Sequence, residues 1–213
     1  MFEKLPERPV MLNQRKKRSP LFIAGSVLLG VVVFALLLFA SFNFWVNRNC
    51  FLVEVAGNSM LNTVEDKDLL YVRNQKAERG DVVIISVKEC REEGGFTFSG
   101  DYIIKRLIAL EGDTVKWEDG KISVKYAGDE DFTPLDEPYI TGVTPSFDKG
   151  NLVEVKEGEI FFLGDNRQNS YDSTEIGCLK ESYIVGVVPE WSLKIKSFTT
   201  FWERMRTRTA VHQ

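Results

Sequence analysis

Leu21 to Ala40, "LFIAGSVLLGVVVFALLLFA", is a run of 20 residues in which only Ser26 is polar, and no charged residue occurs from Ser19 to Asn47. No other stretch of the 213-residue chain restricts its fold so strongly. As a helix rising ~1.5 Å per residue it would span roughly 30 Å, the hydrocarbon thickness of a bilayer. A cleaved export signal has a shorter apolar core of about 7–15 residues followed by a small-x-small site, and Leu38 and Ala40 do not form one. A buried core helix is the other alternative, but an uninterrupted apolar helix of this length is unusual in a soluble domain. The run is therefore expected to be a transmembrane anchor over residues 19–45.

Charge sets its expected direction. Residues 1–18 hold six basic and two acidic side chains, including Arg15-Lys16-Lys17-Arg18, whereas the first charge after the run is Arg48. The positive-inside rule puts residues 1–18 in the cytoplasm and the remainder outside. Residues 191–213 carry five basic and one acidic side chain, and the body between carries 16 basic and 28 acidic ones. A body of net charge −12 argues against nucleic acid as a partner. For the basic tail, expected over residues 198–213, two readings stand: contact with an anionic membrane surface through Phe198, Phe201 and Trp202, or a solvated terminus. The three cysteines, Cys50, Cys90 and Cys178, have no metal-like spacing and define no pairing.

Residues 46–197 read as one β-rich domain. Short runs such as "FLVEV", "LLYV", "DVVIISV", "DYIIKRLIAL" and "EIFFL" are divided by turn chemistry, and Asp119-Gly120 between two alternating runs marks a hairpin. Lys88–Gly100 and Tyr126–Asn151 lack periodicity and are expected to be connections. The fold class expected is all-β, of mainly antiparallel, barrel-like sheets, preceded by one N-terminal transmembrane helix.

The only histidine, His212, is the penultimate residue, which removes Ser-His-Asp and Cys-His catalysis and most zinc sites. If Ser59, at the break in "VEVAGNSMLNTV", is a nucleophile, its base must be another residue. A lysine can serve once burial brings it from a pKa of about 10.4 to about 7–8, at a cost of ~4 kcal/mol. Lys105 lies in such a setting. Alternation over Tyr102–Leu110 places Ile103, Lys105, Leu107 and Ala109 on one face and Tyr102, Ile104, Arg106, Ile108 and Leu110 on the other. Arg106 stays charged and needs a carboxylate, whereas Lys105 can deprotonate. After the apolar run "EIFFL" comes "GDNRQNSYDSTEIG", a loop dense in hydrogen-bonding groups.

"GNSM", "RGDVVII", "DYIIKRLIALEGDTV" and "FLGDNRQNSYDS" together resemble, in order and style, the motifs of the type I signal peptidases, and in particular the short forms of Gram-positive bacteria. These are membrane-anchored Ser/Lys endopeptidases that remove signal peptides from exported proteins. The likeness runs from about Val53 to Ser173. It implies Ser59 as nucleophile, Lys105 as general base, and Ser170 as the residue orienting that lysine. It implies a structural salt bridge between Asp165 and Arg106, and an oxyanion hole at Gly57 and Ser59. Met60, Val55, Ile103 and Ile104 would contact substrate, with the two isoleucines pairing main chain to main chain.

Three positions depart from the family pattern. Gly57 lacks the hydroxyl that some members place in the oxyanion hole. Asn62 replaces a proline, which is expected to loosen the turn. Thr174 replaces an arginine, which leaves Asp172 in need of another partner. The resemblance implies no cofactor and no metal, exported preproteins and the lipid bilayer as partners, and a monomer in the bacterial cytoplasmic membrane. Two rivals remain. A Ser/Lys self-cleaving repressor would need a DNA-binding segment where the apolar run lies. A membrane-tethered β module could bind exported peptides without cutting them.

Overall fold

The computed structural model describes residues 19–90, 98, 100–140, 144 and 151–210, with side chains to residue 204. The basic cluster Arg15–Arg18, most of the 88–100 connection, part of the 126–151 connection and His212 lie outside the described residues. The chain divides into two compact units, residues 1–48 and 49–213.

The first unit is built on helix α1 (Pro20–Asn49). Ser19 caps it, its Oγ accepting the Phe22 N–H at 3.3 Å, and Pro20 occupies the first helical position, where a missing N–H costs nothing. Its polar side chains are satisfied within the helix: Ser26 Oγ donates to the Phe22 carbonyl and Asn43 Nδ2 to the Phe39 carbonyl, both at 2.8 Å. Such local closure of polar groups is what hydrocarbon requires. Its 30-residue length and an 18-residue stretch of mean hydropathy 2.9 make α1 a candidate membrane span.

The second unit holds eleven strands among the described residues. In chain order they are β1 (Cys50–Glu54), β2 (Leu69–Arg73), β3 (Val82–Ser86), β4 (Tyr102–Leu110), β5 (Thr114–Glu118), β6 (Lys121–Lys125), β7 (Thr133–Pro134), β8 (Leu152–Glu154), β9 (Glu159–Leu163), β10 (Leu179–Lys180) and β11 (Ile184–Val188). A seven-stranded sheet runs β1-β2-β11-β3-β4-β9-β10 and a four-stranded sheet runs β7-β6-β5-β8. Every pairing is antiparallel, as the alternating sequence pattern predicts. The Asp119-Gly120 hairpin forms as expected: both residues have positive φ (51° and 74°), the requirement of a two-residue turn between twisted strands.

The faces of β4 do not alternate throughout. A register shift against β9 lies between Leu107 and Ala109, so Ile108 and Ala109 share one core cluster while Leu107 and Leu110 pack in another. A bulge adds one residue and reverses the alternation beyond it. β4 thereby feeds both the cluster of the small sheet, around Trp117 and Phe161, and that of the large sheet, around Ile85 and Phe162.

A buried carboxylate joins this strand to its surroundings. Asp113, fully buried, accepts Arg79 Nε (2.6 Å) and Nη2 (2.9 Å) and the backbone N–H groups of Leu110 and Ala127 (2.9 Å each). The Gly112-Asp113 pair is thus more than the turn its sequence suggests.

The chain ends differently from the expected tail. Residues 190–210 form one helix, which we call α3, and the short α2 (Ser173–Ile176) precedes it. No apolar stripe announces α3: at its start Trp191 lies against Tyr71 and Leu193 packs on the core beneath β2, but beyond them the contacts to β2 are polar. Tyr71 N–H donates to Ser192 Oγ (2.8 Å), Leu69 N–H to Thr200 Oγ1 (2.9 Å), and Lys196 pairs with Asp68 (3.0 Å). Beyond Arg73↔Val187, β11 no longer pairs with β2, and these hydroxyls take its place as acceptors.

Replacing Asp113 with alanine leaves a guanidinium and two backbone donors without their acceptor. Denaturant unfolding of this variant is expected to show a loss of about 3 kcal/mol, with the antiparallel β signature retained at zero denaturant.

Candidate active site

Ser59 sits where β1 gives way to a tight turn. Val55 and Asp68 close the strand end, with Val55 N–H on the Asp68 carbonyl (2.9 Å) and Lys67 N–H on the Val55 carbonyl (2.8 Å). Gly57 then takes φ +97° while its N–H donates to Asp66 Oδ1 (2.9 Å), a conformation that side chains rarely adopt. Met60, 1% exposed, accepts the N–H groups of Thr63 and Val64 on its carbonyl and pins the far side of the turn in the core. Asn62 has φ +84°. Proline, locked near −65°, cannot occupy that conformation, whereas asparagine tolerates it. The turn expected to be loosened by Asn62 is instead a different turn, held by four backbone hydrogen bonds over Asn58–Asp68.

Lys105 Nζ lies 2.6 Å from Ser59 Oγ. The side chains come from elements 46 positions apart, the β1 turn and the middle of β4. Lys105 is 4% exposed, and burial lowers its pKa to about 8, with the more remote carboxylates Asp172 and Asp165 acting in the opposite direction. Desolvation penalises the ammonium, so the neutral amine becomes accessible near physiological pH.

The loop after β9 holds the serine turn. Asn166 N–H donates to the Ser59 carbonyl and Asn166 Nδ2 to the Asn58 carbonyl, each at 3.0 Å, and Asp165 N–H approaches Met60 Sδ at 3.4 Å. Gly164 is the closest point. A Cβ there would lie 2.5 Å from the Ser59 carbonyl oxygen and 2.2 Å from Ser170 Oγ, so no side chain fits. In the sequence this glycine has no mark of its own beyond its position directly after the apolar run "EIFFL".

Arg106 does find its carboxylate. Its Nε and Nη2 reach the two Asp165 oxygens at 2.8 and 2.6 Å, and Nη1 donates to the Gly80 carbonyl (2.7 Å). Thr63 Oγ1 donates to the same carboxylate, and the Tyr139 ring lies under the guanidinium, 3.8 Å from its carbon to the ring centre. Arg167 in turn binds Glu137, Thr144 Oγ1 (2.7 Å) and the Gly164 carbonyl (3.1 Å). Tyr139, Glu137 and Thr144 were not singled out in the sequence, because they fall in a stretch without periodicity.

Asp172 has replaced its expected partner locally. Its Oδ2 accepts the Gly164 N–H (2.9 Å), while Oδ1 accepts the N–H (3.2 Å) and hydroxyl (2.8 Å) of Thr174, capping α2. Ser170 Oγ is buried against Gly164 and makes no hydrogen bond, to Lys105 or to any other described residue.

A cleft of about 800 Å³ opens over the pair and is lined by Val53, Val55, Ser59, Ile84, Ile103, Ile104 and Lys105, with Tyr171 and Phe98 at one end. Met60 lies beneath it in the core, away from the lining. The cleft runs between two strand edges. β1 is the terminal strand of the large sheet, and β9 meets β4 only from Arg106 onward, so Tyr102–Lys105 have no strand on that side among the described residues. Ile103 and Lys105 are in phase with Asp101 and Leu107, which bond toward β3, so the N–H and C=O of Ile104 point into the cleft. Among the described residues no group of three or more His, Cys, Asp or Glu is placed to hold a metal ion, and Cys50, Cys90 and Cys178 form no disulfide. A hydroxyl against a buried amine, beside a cleft bordered by two strand edges, is equipped for acyl transfer.

The model of the family described as "Signal peptidase, peptidase S26" matches residues 24–191, and the chain belongs to that family. Among its relatives, Signal peptidase I U of Bacillus subtilis (strain 168) is 28% identical over 194 residues, covering 84% of this chain and 90% of the relative. Signal peptidase I of Bacillus licheniformis is 32% identical over 188 residues, 80% of this chain and 87% of the relative. Probable signal peptidase I-1 of Synechocystis sp. is 34% identical over 137 residues, and the match spans 62% of this chain and 65% of that protein. The crystal structure of a signal peptidase I from Enterococcus faecalis V583 superposes with a TM-score of 0.41 at 25% identity, covering 54% of this chain and 98% of the other.

Gly164→Ala forces the 164–166 loop away from the Ser59 turn. Because a displacement of ~1 Å at a reacting group costs on the order of 100-fold in rate, peptidase turnover is expected to fall by about that factor while thermal unfolding shifts only modestly. Retention of full turnover would show that the close approach is dispensable.

Proposed function

We propose that this protein is a membrane-anchored endopeptidase that removes signal peptides from exported preproteins, with Ser59 as nucleophile and Lys105 as general base. The observation that carries this reading is the 2.6 Å contact between Ser59 Oγ and a lysine amine that burial holds near pKa 8. In the proposed cycle, neutral Lys105 takes the Ser59 proton as Oγ attacks the carbonyl carbon of the scissile bond. The Ser59 N–H, which has no acceptor among the described residues, is directed at the oxygen on which negative charge develops. Lys105 then returns the proton to the departing amine. An acyl-enzyme remains on Ser59, and Lys105 activates the water that hydrolyses it.

Substrate would lie extended in the cleft as an added strand, bonding to Ile104 and contacting Val55 and Ile103. Side chains on one face of such a strand would point toward Ser59, and the preference proposed there is for small residues before the cut, in a small-x-small pattern. Ser170 would orient Lys105 after a side-chain rearrangement that brings its Oγ to the amine, its hydroxyl being otherwise unpartnered among the described residues. Helix α1 would anchor the chain with residues 1–18 in the cytoplasm and the catalytic domain, residues 46–197, outside, as a monomer. Cleavage sites also emerge at that surface, so tethering both partners raises their effective concentration.

Incubating the purified full-length protein in detergent with a preprotein, followed by mass analysis, should give a single cut after a small residue. Absence of any cut would leave a peptide-binding module as the reading. Lys105→Met keeps the length of the side chain and removes the proton acceptor, so cleavage should be lost by a factor on the order of 10⁴ or more.

The pH profile carries a sign. Lys105 works neutral, so kcat/KM should fall as pH drops through about 8 and level off above it; a midpoint near 10 would mean that the working base is not desolvated. The same shift predicts stability. A base whose folded pKa lies below its unfolded value destabilises the fold fully below the folded pKa and not at all above the unfolded one. The penalty is thus complete below about pH 8 and gone above about 10.5. Lys105→Met should therefore unfold at a higher denaturant concentration than the parent at pH 7, and the difference should shrink toward pH 10.

A further inference from the structure

The amphipathic character of α3 is inverted. Ser192, Lys196, Thr199 and Thr200 follow one helical face and pack on the domain, through the hydroxyl and ion-pair contacts to Tyr71, Leu69 and Asp68. On the opposite face Phe198, Phe201 and Trp202 are 64%, 61% and 58% exposed, with Ile195 beside them at 37%. The rings of Phe198 and Trp202 stack one turn apart, centroids 6.3 Å apart, and present a continuous aromatic surface. A helix that only covered a sheet edge would turn such residues inward. Here hydroxyls satisfy the edge and the aromatics are left outside.

Charge identifies the occupant of this face. Residues 190–210 hold five basic side chains (Lys194, Lys196, Arg204, Arg206, Arg208) and two acidic ones (Glu190, Glu203), a net +3. Residues 49–189 hold 15 basic and 27 acidic side chains, a net −12. A domain of net charge −12 is on the whole repelled by an anionic surface, whereas this helix of net +3 is attracted to it. Tryptophan and phenylalanine together with basic residues, on a helix of low overall hydropathy, make up the composition that rests at a lipid headgroup boundary. The same chain supplies a bilayer through α1, a candidate span with no buried residue in its apolar window.

We infer that α3 is an interfacial membrane helix: its Phe198–Phe201–Trp202 face inserts at the headgroup level of an anionic bilayer and fixes the orientation of the catalytic domain on that surface. The inference rests on the membrane-anchored reading above and adds a second, reversible contact to it. A single span leaves a domain free to rotate, whereas a second contact holds the cleft at a set height, where emerging cleavage sites are found.

The test uses the full-length chain in vesicles of phosphatidylcholine and phosphatidylglycerol, with and without bromine on the acyl chains near the headgroup. Tryptophan quenching in the parent and in Trp202→Phe is compared, so that the difference isolates Trp202 from Trp45, Trp117 and Trp191. Quenching of the Trp202 component by about twofold in anionic vesicles, weakened in phosphatidylcholine alone or at high salt, is expected. Equal quenching in parent and Trp202→Phe overturns the surface contact. So does concentration-dependent self-association of the parent that is lost on Phe198→Ser/Phe201→Ser/Trp202→Ser, because a second copy would then cover the face.

The triple serine variant, with unchanged circular dichroism, should cleave a short soluble peptide at the parental rate but show a KM about tenfold higher for a vesicle-embedded preprotein. An unchanged KM overturns the orienting role. Carbonate extraction separates this inference from the one beneath it: release of the chain by carbonate, with Trp202-specific quenching retained at neutral pH, would overturn the α1 anchor alone.

Discussion

The buried pair between Arg106 and Asp165 is where three segments remote in sequence become one site. Arg106 follows the lysine on β4, Asp165 opens the loop after β9, and Thr63 of the serine turn donates to the same carboxylate. A charge pair of this depth is weak as a source of stability, because both partners give up hydration, but losing either partner leaves an uncompensated charge in the core. It therefore selects among arrangements. Any packing that moves the serine turn or the loop away from β4 exposes or orphans one of these groups. Tyr139 beneath the guanidinium and Arg167 against Glu137 extend the same constraint to the 126–151 connection.

Lys105 depends on that constraint in the opposite sense. Its neighbour keeps its charge because a carboxylate faces it; Lys105 has a hydroxyl at contact distance and the two carboxylates further away. Two adjacent cations on one strand are thus driven to different fates by what each side of β4 meets. Gly164 makes this possible by letting the loop backbone lie against the Ser59 turn. The serine is then supported from behind, and its front stays open to the cleft between β1 and β4. The amine stays buried while the cleft between the two strand edges leaves the serine hydroxyl reachable.

Much of this was legible in the residues. The 20-residue apolar run, the antiparallel strands, the Asp119-Gly120 hairpin and the proximity of Ser59, Lys105, Arg106 and the 164–177 loop follow from periodicity, turn chemistry and the absence of a usable histidine, joined to the motif resemblance. Other features escaped for identifiable reasons. The bulge at Leu107–Ala109 leaves no mark in an alternation pattern that is apolar on both faces. Helix α3 hid because, after Trp191 and Leu193 in its first turn, the contacts that hold it are made by serine, threonine and lysine. Asn62 looked like a lost proline until its positive φ showed that the turn has another shape. Asp172 looked orphaned until it capped the short helix Ser173–Ile176 by accepting from Thr174.

The division has a physical basis. Local sequence determines what depends on neighbouring residues alone: which stretches are apolar over a bilayer's thickness, which alternate, which turn, and which side chains can carry a proton at neutral pH. Tertiary structure decided what depends on distance through space. It brought an amine 2.6 Å from a hydroxyl across 46 positions, left room for no atom beyond the glycine hydrogen at 164, and turned the aromatic face of α3 away from the domain. A pKa follows from dielectric and charge within a few ångströms, and those neighbours come from strands and loops that the chain brings together only by folding.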